Sequence, residues 1–351
     1  MLPMAGCKQD PEHHAEGDVL VHTKSVCEAL VQLKSWQELD VEAKCILFAA
    51  CLLHDVAKPA CTKIDEKGHI SSLKHTRVGV SMAREILWRS SEFNSPPFHL
   101  REQIAKLVRF SGLPIWFMEK EDPVKAVLRA SMSVRMDWLS ILAEADVNGR
   151  ICKDKNELMN RVHMFKDFCD ENKCLTQPRE FASAHSRFSY FHSESKQPDR
   201  DVFDDNESTV TLMSGLPGSG KDRWINQNVA NVPLISLDAI RTQLDVDPED
   251  NQGPVVANAK QQAREYLRKG EDFVWNATNI SSSLRSSLIT SMQTYRAKIR
   301  IVYVEAPSFN VLKERNRSRN NPVLEAVLQK LLSRLEVPEL SEAHDLSFCI
   351  E

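Results

Sequence analysis

The stretch Gly215-Leu216-Pro217-Gly218-Ser219-Gly220-Lys221-Asp222 constrains this chain more than any other, because it has the spacing of a loop that grips phosphate. Gly215 and Gly220 permit a tight turn in which loop N–H groups, those of Gly218, Ser219 and Gly220 included, point inward at the oxygens of a bound triphosphate. Lys221 adds the point charge. Upstream, Val210 and Leu212 alternate with Thr209 and Thr211 as in a strand; downstream, Trp224-Ile225 opens a helix whose N-terminus favours anions. One position departs from the usual motif. Asp222 stands where Ser or Thr would hold magnesium, and a carboxylate can serve a hard cation directly or through water.

A chain of 351 residues is long for one core, so two domains are expected. With 42% apolar and 27% charged residues the composition is that of a globular protein, and a net charge of −4 excludes a global basic field that would announce nucleic acid. Any such contact must be local. The absence of a long apolar run or of a basic-then-apolar leader predicts a cytoplasmic protein with no membrane contact. Nine cysteines without a Cys-x-x-Cys pair read as scattered thiols, against a disulfide framework or a zinc ribbon.

Residues 18–174 are predicted helical almost throughout. Asp40 can cap a run in which Ala43, Ile46, Leu47, Ala50 and Leu53 recur at helical spacing, and further patterns cover Val80–Trp88, Ile104–Phe110, Val124–Val134 and Trp138–Ala145. The apolar run from Val41 ends on His54-Asp55, an imidazole and a carboxylate where a charged pair needs a reason to be. A salt bridge or cap is one reason. The other is a metal: His22 before and Asp146 after complete a nitrogen and oxygen ligand set, drawn from three helices, for a divalent transition metal such as Mn, Fe, Co, Ni or Zn. His13, His14 and His99 sit in polar or proline-rich surroundings and read as solvated. Trp88, Trp116 and Trp138 read as core.

Residues 1–180 are thus expected to form one helical domain, 181–207 a linker with an aromatic cluster (Phe181, Phe188, Tyr190, Phe191), and 208–351 an α/β domain. In the last, Val232–Ser236, Phe273–Trp275 and Ile299–Val304 read as further strands, alternating with helical runs Leu237–Leu244 and Val255–Lys269. Such alternation implies a parallel sheet with ligands at the carboxyl ends of its strands. Polar residues sit where those ends should be: Asp238 and Arg241 one helical turn apart, Asn276 to Asn279, then Arg315, Arg317 and Arg319. A helix cap is the alternative reading of Asp238, and a solvated basic face that of the arginines.

His22, His54-Asp55 and Asp146 resemble the signature of HD-superfamily metal-dependent phosphohydrolases, and the second half resembles P-loop polynucleotide 5′-kinases. Together, from about His22 to Ala343, the chain is similar to the bacterial HD-domain polynucleotide kinases, with Gly112-Leu113-Pro114-Ile115-Trp116-Phe117 and Arg187-Phe188 adding to the likeness. The resemblance implies an all-α HD domain followed by a P-loop kinase that uses ATP or another NTP with Mg2+. It makes His22, His54, Asp55 and Asp146 metal ligands, with His75 a further one, and puts Lys58 and Arg150 on phosphate oxygens. Ser111, where relatives carry another histidine, counts against a second metal. By the same resemblance Asp238 is the base for a 5′-OH, Arg241 binds the acceptor's phosphate, and Arg315 and Arg319 are lid arginines. Ala277 replaces an acidic residue that often precedes the Thr-Asn pair. The implied substrates are RNA or DNA ends, a 5′-OH in one domain and a 2′,3′-cyclic or terminal phosphate in the other. An HD nucleotidase fused to a nucleoside or metabolite kinase, and an ATP-binding regulatory protein, are the alternative readings.

Overall fold

The computed structural model describes residues 2–89, 96–247, 249–319 and 321–350. The chain divides into two compact units, Met1–Glu180 and Phe181–Glu351.

The first unit is helical, and its helices start where the sequence supplies caps. The Asp18 carboxylate accepts from the Val21 amide to open helix Val19–Gln32, and Asp40 does the same from Ala43 for helix Val41–Leu53. The predicted runs are extended, to His75–Arg89 and Met136–Gly149 at both ends and to Phe98–Phe110 at the N-terminal end, while the Val124–Val134 run becomes Pro123–Ser131. Helix Val19–Gln32 packs on Met136–Gly149, which in turn packs on Lys155–Glu171; helix Phe98–Phe110 takes both Val41–Leu53 and His75–Arg89. Side chains such as Leu30, Leu47, Leu107, Leu139 and Phe165 are fully buried, each worth about 1.5–3 kcal/mol relative to exposure. One contact is closer than side chains allow. A Cβ on Gly149 would lie 2.7 Å from the Val26 amide nitrogen, so only glycine lets these two helices meet here.

The second unit is a five-stranded parallel sheet with helices on its faces. Its strands are β1 (Ser208–Ser214), β2 (Leu234–Ser236), β3 (Phe273–Asn276), β4 (Ala297–Glu305) and β5 (Asp345–Ile350), in the order β2-β3-β1-β4-β5. The loop-bearing β1 is therefore central. Val210 pairs with Phe273 on one side and Ile299 on the other. Alternation divides the core: Val210, Leu212, Phe273, Trp275, Ile299 and Ile301 bury one face, and Met213, Val274, Val302 and Val304 the other with Trp224. The 181–207 stretch corrects the linker reading. It contains helix Ala184–His192, whose Phe188 is 5% exposed and joins the sheet's core, so aromatic burial makes this segment part of the second unit. Strand β5 was not legible in the alternation. No helix among the described residues is long and apolar enough to cross a membrane.

Candidate active sites

In the first unit, three helices bring together the predicted ligands. His54 is the C-cap of helix Val41–Leu53, a terminus that projects its side chain together with that of Asp55; His22 lies near the start of Val19–Gln32, and Asp146 one turn before Gly149. His22 Nε2 is 3.1 Å from Asp146 Oδ1 and 3.7 Å from Asp55 Oδ2, and His54 Nε2 is 3.3 Å from Asp55 Oδ2. All four residues are buried. His54 Nδ1–H donates to the Cys51 carbonyl at 2.6 Å, and His75 Nδ1–H to that of Ser72 at 2.7 Å. That fixes both rings with Nε2 turned to the carboxylates, His75 Nε2 lying 3.5 Å from Asp55 Oδ1. Neither nitrogen of His22 nor His54 Nε2 makes a hydrogen bond among the described residues, the His22 Nδ1 contact with Glu16 Oε1 at 2.7 Å being an ion-pair contact outside hydrogen-bond geometry. Buried acceptors left open, facing two carboxylates, with ligand atoms of His22, His54 and Asp146 within 4.8 Å of one another, fit a divalent metal.

Electrostatics agree with this fit. Burial opposes the charged form of Asp55, but the His54 and Lys58 charges hold it well below the usual carboxylate range; Asp146 is held down likewise by Arg150, against its burial. Burial pulls the His54 imidazolium down, and the Asp55 and Asp146 charges outweigh it, pushing the group up to about 9. A metal would take the place of that proton. Lys58 Nζ lies 2.7 Å from Asp55 and donates to Gln9 Oε1 at 2.6 Å, while Arg150 grips Asp146 through Nη2 at 2.5 Å and Nε at 3.2 Å. Both cations border the open cavity of about 940 Å3 above the site, which Ser111 also lines.

Two sequence readings fail here. His14 is not solvated: its side chain is 11% exposed, its Nδ1 is 2.9 Å from Glu16 Oε1, and its ring packs edge-on against His22 at 4.6 Å. Burial, then the Lys58 and Arg150 charges, push it down to about 3. Trp116 is not core either, being 39% exposed on the cavity wall under the Arg161 guanidinium. His13 and His99 are exposed as expected.

In the second unit the Gly215–Asp222 loop leaves the end of β1 and enters helix Lys221–Asn228. Gly215, Gly218 and Gly220 have φ of 151°, 81° and 110°, a region other residues adopt at a cost. A Cβ at Gly215 would meet the Val304 carbonyl at 2.3 Å, and one at Gly218 the Asn316 amide nitrogen at 3.0 Å, so the loop is packed against both β4 and helix Phe309–Arg317. Ser219 is buried. Lys221 Nζ donates to the Gly215 and Leu216 carbonyls at 2.9 and 3.0 Å, and burial pushes its ammonium down to about 8.

Asp238 is not the cap of its helix. Ser236 caps it, accepting from the Ala239 amide, which leaves the Asp238 carboxylate exposed between Arg241 Nη1 at 2.5 Å and Arg319 Nη2 at 3.3 Å. Asp238 and Arg319 are close enough for their charges to act on Lys221. Arg241 Nε also donates to Gln252 at 2.8 Å. Arg315 is half-buried without a hydrogen bond or ion pair among the described residues, and Arg317 points to Glu325 at 3.6 Å. Asn276, at the end of β3, donates to Asp222 Oδ1 at 2.7 Å, a partner the sequence did not disclose. Thr278 and Asn279 have structural work: the Thr278 carbonyl accepts from the Gly215 amide, and Asn279 Nδ2 donates to the Met213 carbonyl.

Comparison with known proteins agrees with both halves. A family model described as an HD domain matches residues 19–129, and one described as an AAA domain matches residues 210–338. No curated protein matches the chain. Among solved structures, a kinase described as putative from Chloroflexus aurantiacus j-10-fl is 21% identical at a TM-score of 0.35, with 42% of this chain and 86% of that one covered. A sugar kinase from Janibacter sp. HTCC2649 is 16% identical (TM-score 0.30, 41% and 84% covered), and a gluconokinase from Sinorhizobium meliloti 1021 is 18% identical (TM-score 0.29, 41% and 83% covered).

Proposed function

We propose that this HD domain, fused to a kinase-like P-loop domain, makes a bifunctional enzyme that heals broken nucleic-acid ends. The second unit transfers the γ-phosphate of an NTP to a 5′-OH, and the first opens or removes a 2′,3′-cyclic or terminal phosphate. The observation that carries the reading is the Asp238 carboxylate, freed from capping, set between two arginines and near the loop lysine.

In the kinase half the loop N–H groups and Lys221 bind the triphosphate, Lys221 leaving the Gly215 and Leu216 carbonyls to do so. The 5′ oxygen attacks the γ-phosphorus as its proton passes to Asp238, and the bond to the β,γ-bridging oxygen breaks, releasing the nucleoside diphosphate. Arg241 holds the acceptor's phosphate, while Arg315 and Arg319 offset charge on the group in flight. Asp222, oriented by Asn276, would hold the magnesium, directly or through water. In the HD half, His22, His54, Asp55 and Asp146 would hold a divalent metal, with His75 beside them. When bound, such a metal polarises a phosphoester and acidifies a water. Lys58 and Arg150 orient phosphate oxygens. The cavity of about 940 Å3 has room for a nucleotide end, and its walls carry Lys74, Arg109, Lys120 and Arg129 beside Asp10, Glu119 and Asp154.

The two reactions belong together, because cleavage that leaves a cyclic phosphate leaves a 5′-OH on the other side. An RNA bearing a 5′-OH and a 2′,3′-cyclic phosphate, incubated with ATP, Mg2+ and Mn2+, should gain a 5′-phosphate and lose the cyclic end. Phosphorylation of nucleosides or sugars but of no oligonucleotide would refute the assignment.

A further inference from the structure

Two of the three imidazoles around the metal site, His54 and His75, take their orientation from a backbone carbonyl three residues back, at a helix end where that carbonyl is within reach. His22 lies in the first turn of its helix, where the Val19 carbonyl three residues back already accepts from Thr23 Oγ1 at 2.8 Å. Its Nδ1 instead lies 2.7 Å from Glu16 Oε1, and its Nε2 faces Asp146 and Asp55. The ring's two nitrogens are therefore divided between an arm carboxylate and the metal carboxylates.

Glu16 is built for that task. Its carboxylate is 3% exposed, its Oε1 also contacts His14 Nδ1 at 2.9 Å, and its Oε2 accepts from the Ile151 amide at 2.9 Å. Ile151 follows the helix that carries Asp146, and the Ala15 amide bonds back to the Ile151 carbonyl at 3.0 Å. One residue thus ties His22 to the segment next to Asp146. We propose that Glu16 is the positioning residue of the metal centre: its carboxylate, in contact with Nδ1, would accept the Nδ1–H when His22 binds a metal and so keep the Nε2 lone pair of His22 on it. This rests on the metal reading of the site given above. Outer carboxylates of this kind change metal affinity by about 10- to 100-fold when removed.

The test is Mn2+ binding to the full chain, by competition with a chromophoric chelator, for wild type, Glu16→Gln and Glu16→Ala, with the unfolding midpoint of each in EDTA. Glu16→Ala should bind Mn2+ about 10- to 100-fold more weakly; its midpoint in EDTA should fall because the Ile151 amide loses its acceptor, so affinities are compared well below that midpoint. Glu16→Gln, whose amide oxygen still accepts, should recover most of that loss. Wild-type affinity in Glu16→Ala overturns the inference alone; absence of Mn2+ uptake by wild type overturns the metal reading with it. Should Glu16→Ala fail to fold, the Zn2+-loaded wild type decides by 15N-histidine NMR. His22, assigned by the signal lost in His22→Ala, must carry its proton on Nδ1; coordination through Nδ1 would overturn the proposal.

Discussion

Replacing Gly149 with alanine should disable the HD site without touching any ligand. The added Cβ would lie 2.7 Å from Val26 Cγ2, 2.7 Å from its amide nitrogen and 2.8 Å from its Cα. Ordinary carbon contacts are about 3.5–4.0 Å, so helices Val19–Gln32 and Met136–Gly149 must part by roughly 1 Å at this point. His22 and Asp146 are each about one turn away, and their present separation is 3.1 Å. A metal tolerates ligand distances only within about ±0.2 Å, and a 1 Å misplacement costs about 100-fold in rate. Mn2+ affinity is therefore expected to fall at least about tenfold, and opening of a 2′,3′-cyclic phosphate about 100-fold. The overpacking cost of about 1–3 kcal/mol should appear as a lower unfolding midpoint in EDTA. Because two of the three clashes are with Val26 backbone atoms, Val26→Ala should not rescue the variant. Phosphorylation of a 5′-OH oligonucleotide by the same preparation serves as the control. Full metal affinity in Gly149→Ala would refute the idea that this glycine sets the spacing of His22 and Asp146.

Three further outcomes are expected. Asp238→Asn should lower 5′-OH phosphorylation by about 100- to 10,000-fold while cyclic-phosphate opening stays at wild-type rate. Asn276→Ala, which frees Asp222 from its 2.7 Å hydrogen bond, should raise the Mg2+ concentration needed for half-maximal kinase rate, and Asp222→Ala should raise it further; titrations of the two variants decide. His344 is 1% exposed and accepts the Ile299 amide on Nδ1, so its Nε2–H faces His185 Nδ1 at 3.1 Å. Burial, then the His185 charge, push it down to about 4 from 6.5. The unfolded chain therefore takes up this proton first as pH falls, and the stability at stake is whole above pH 6.5 and lost by about pH 4. Between pH 7 and 5 the wild-type sheet should lose about 2 kcal/mol more than His344→Asn, read from hydrogen exchange of residues 297–305; equal losses would exclude His344.

Much of the fold was legible because its signals are local. The phosphate loop is contiguous, Gly270 stops its helix with φ of 66° as C-cap glycines do, and strands buried on both faces read as apolar runs. Strand β5 was missed for the complementary reason: it is an edge strand with no fully buried residue, so no alternation marks Asp345–Ile350. The linker reading failed because an aromatic cluster announces burial without saying against what. Only the folded chain shows Phe188 on the sheet core.

The site divides along the same line. His54 and Asp55 are adjacent and betray each other, whereas Glu16, His14 and Asn276 act on residues that no periodicity connects to them. Glu16 meets His22 because the arm before the helix doubles back, anchored by the Val19 amide on the Cys7 carbonyl and by Ile151. Asn276 meets Asp222 because β3 lies beside β1 and ends level with its loop. In both proposed sites the candidate reactive residue is written in a motif, and the candidate aiming residue comes from whichever neighbour the packing supplies. Variants of the aiming residues should therefore show graded losses, recoverable by side chains that keep one acceptor or donor, where loss of a motif residue such as His54 or Lys221 is not recoverable.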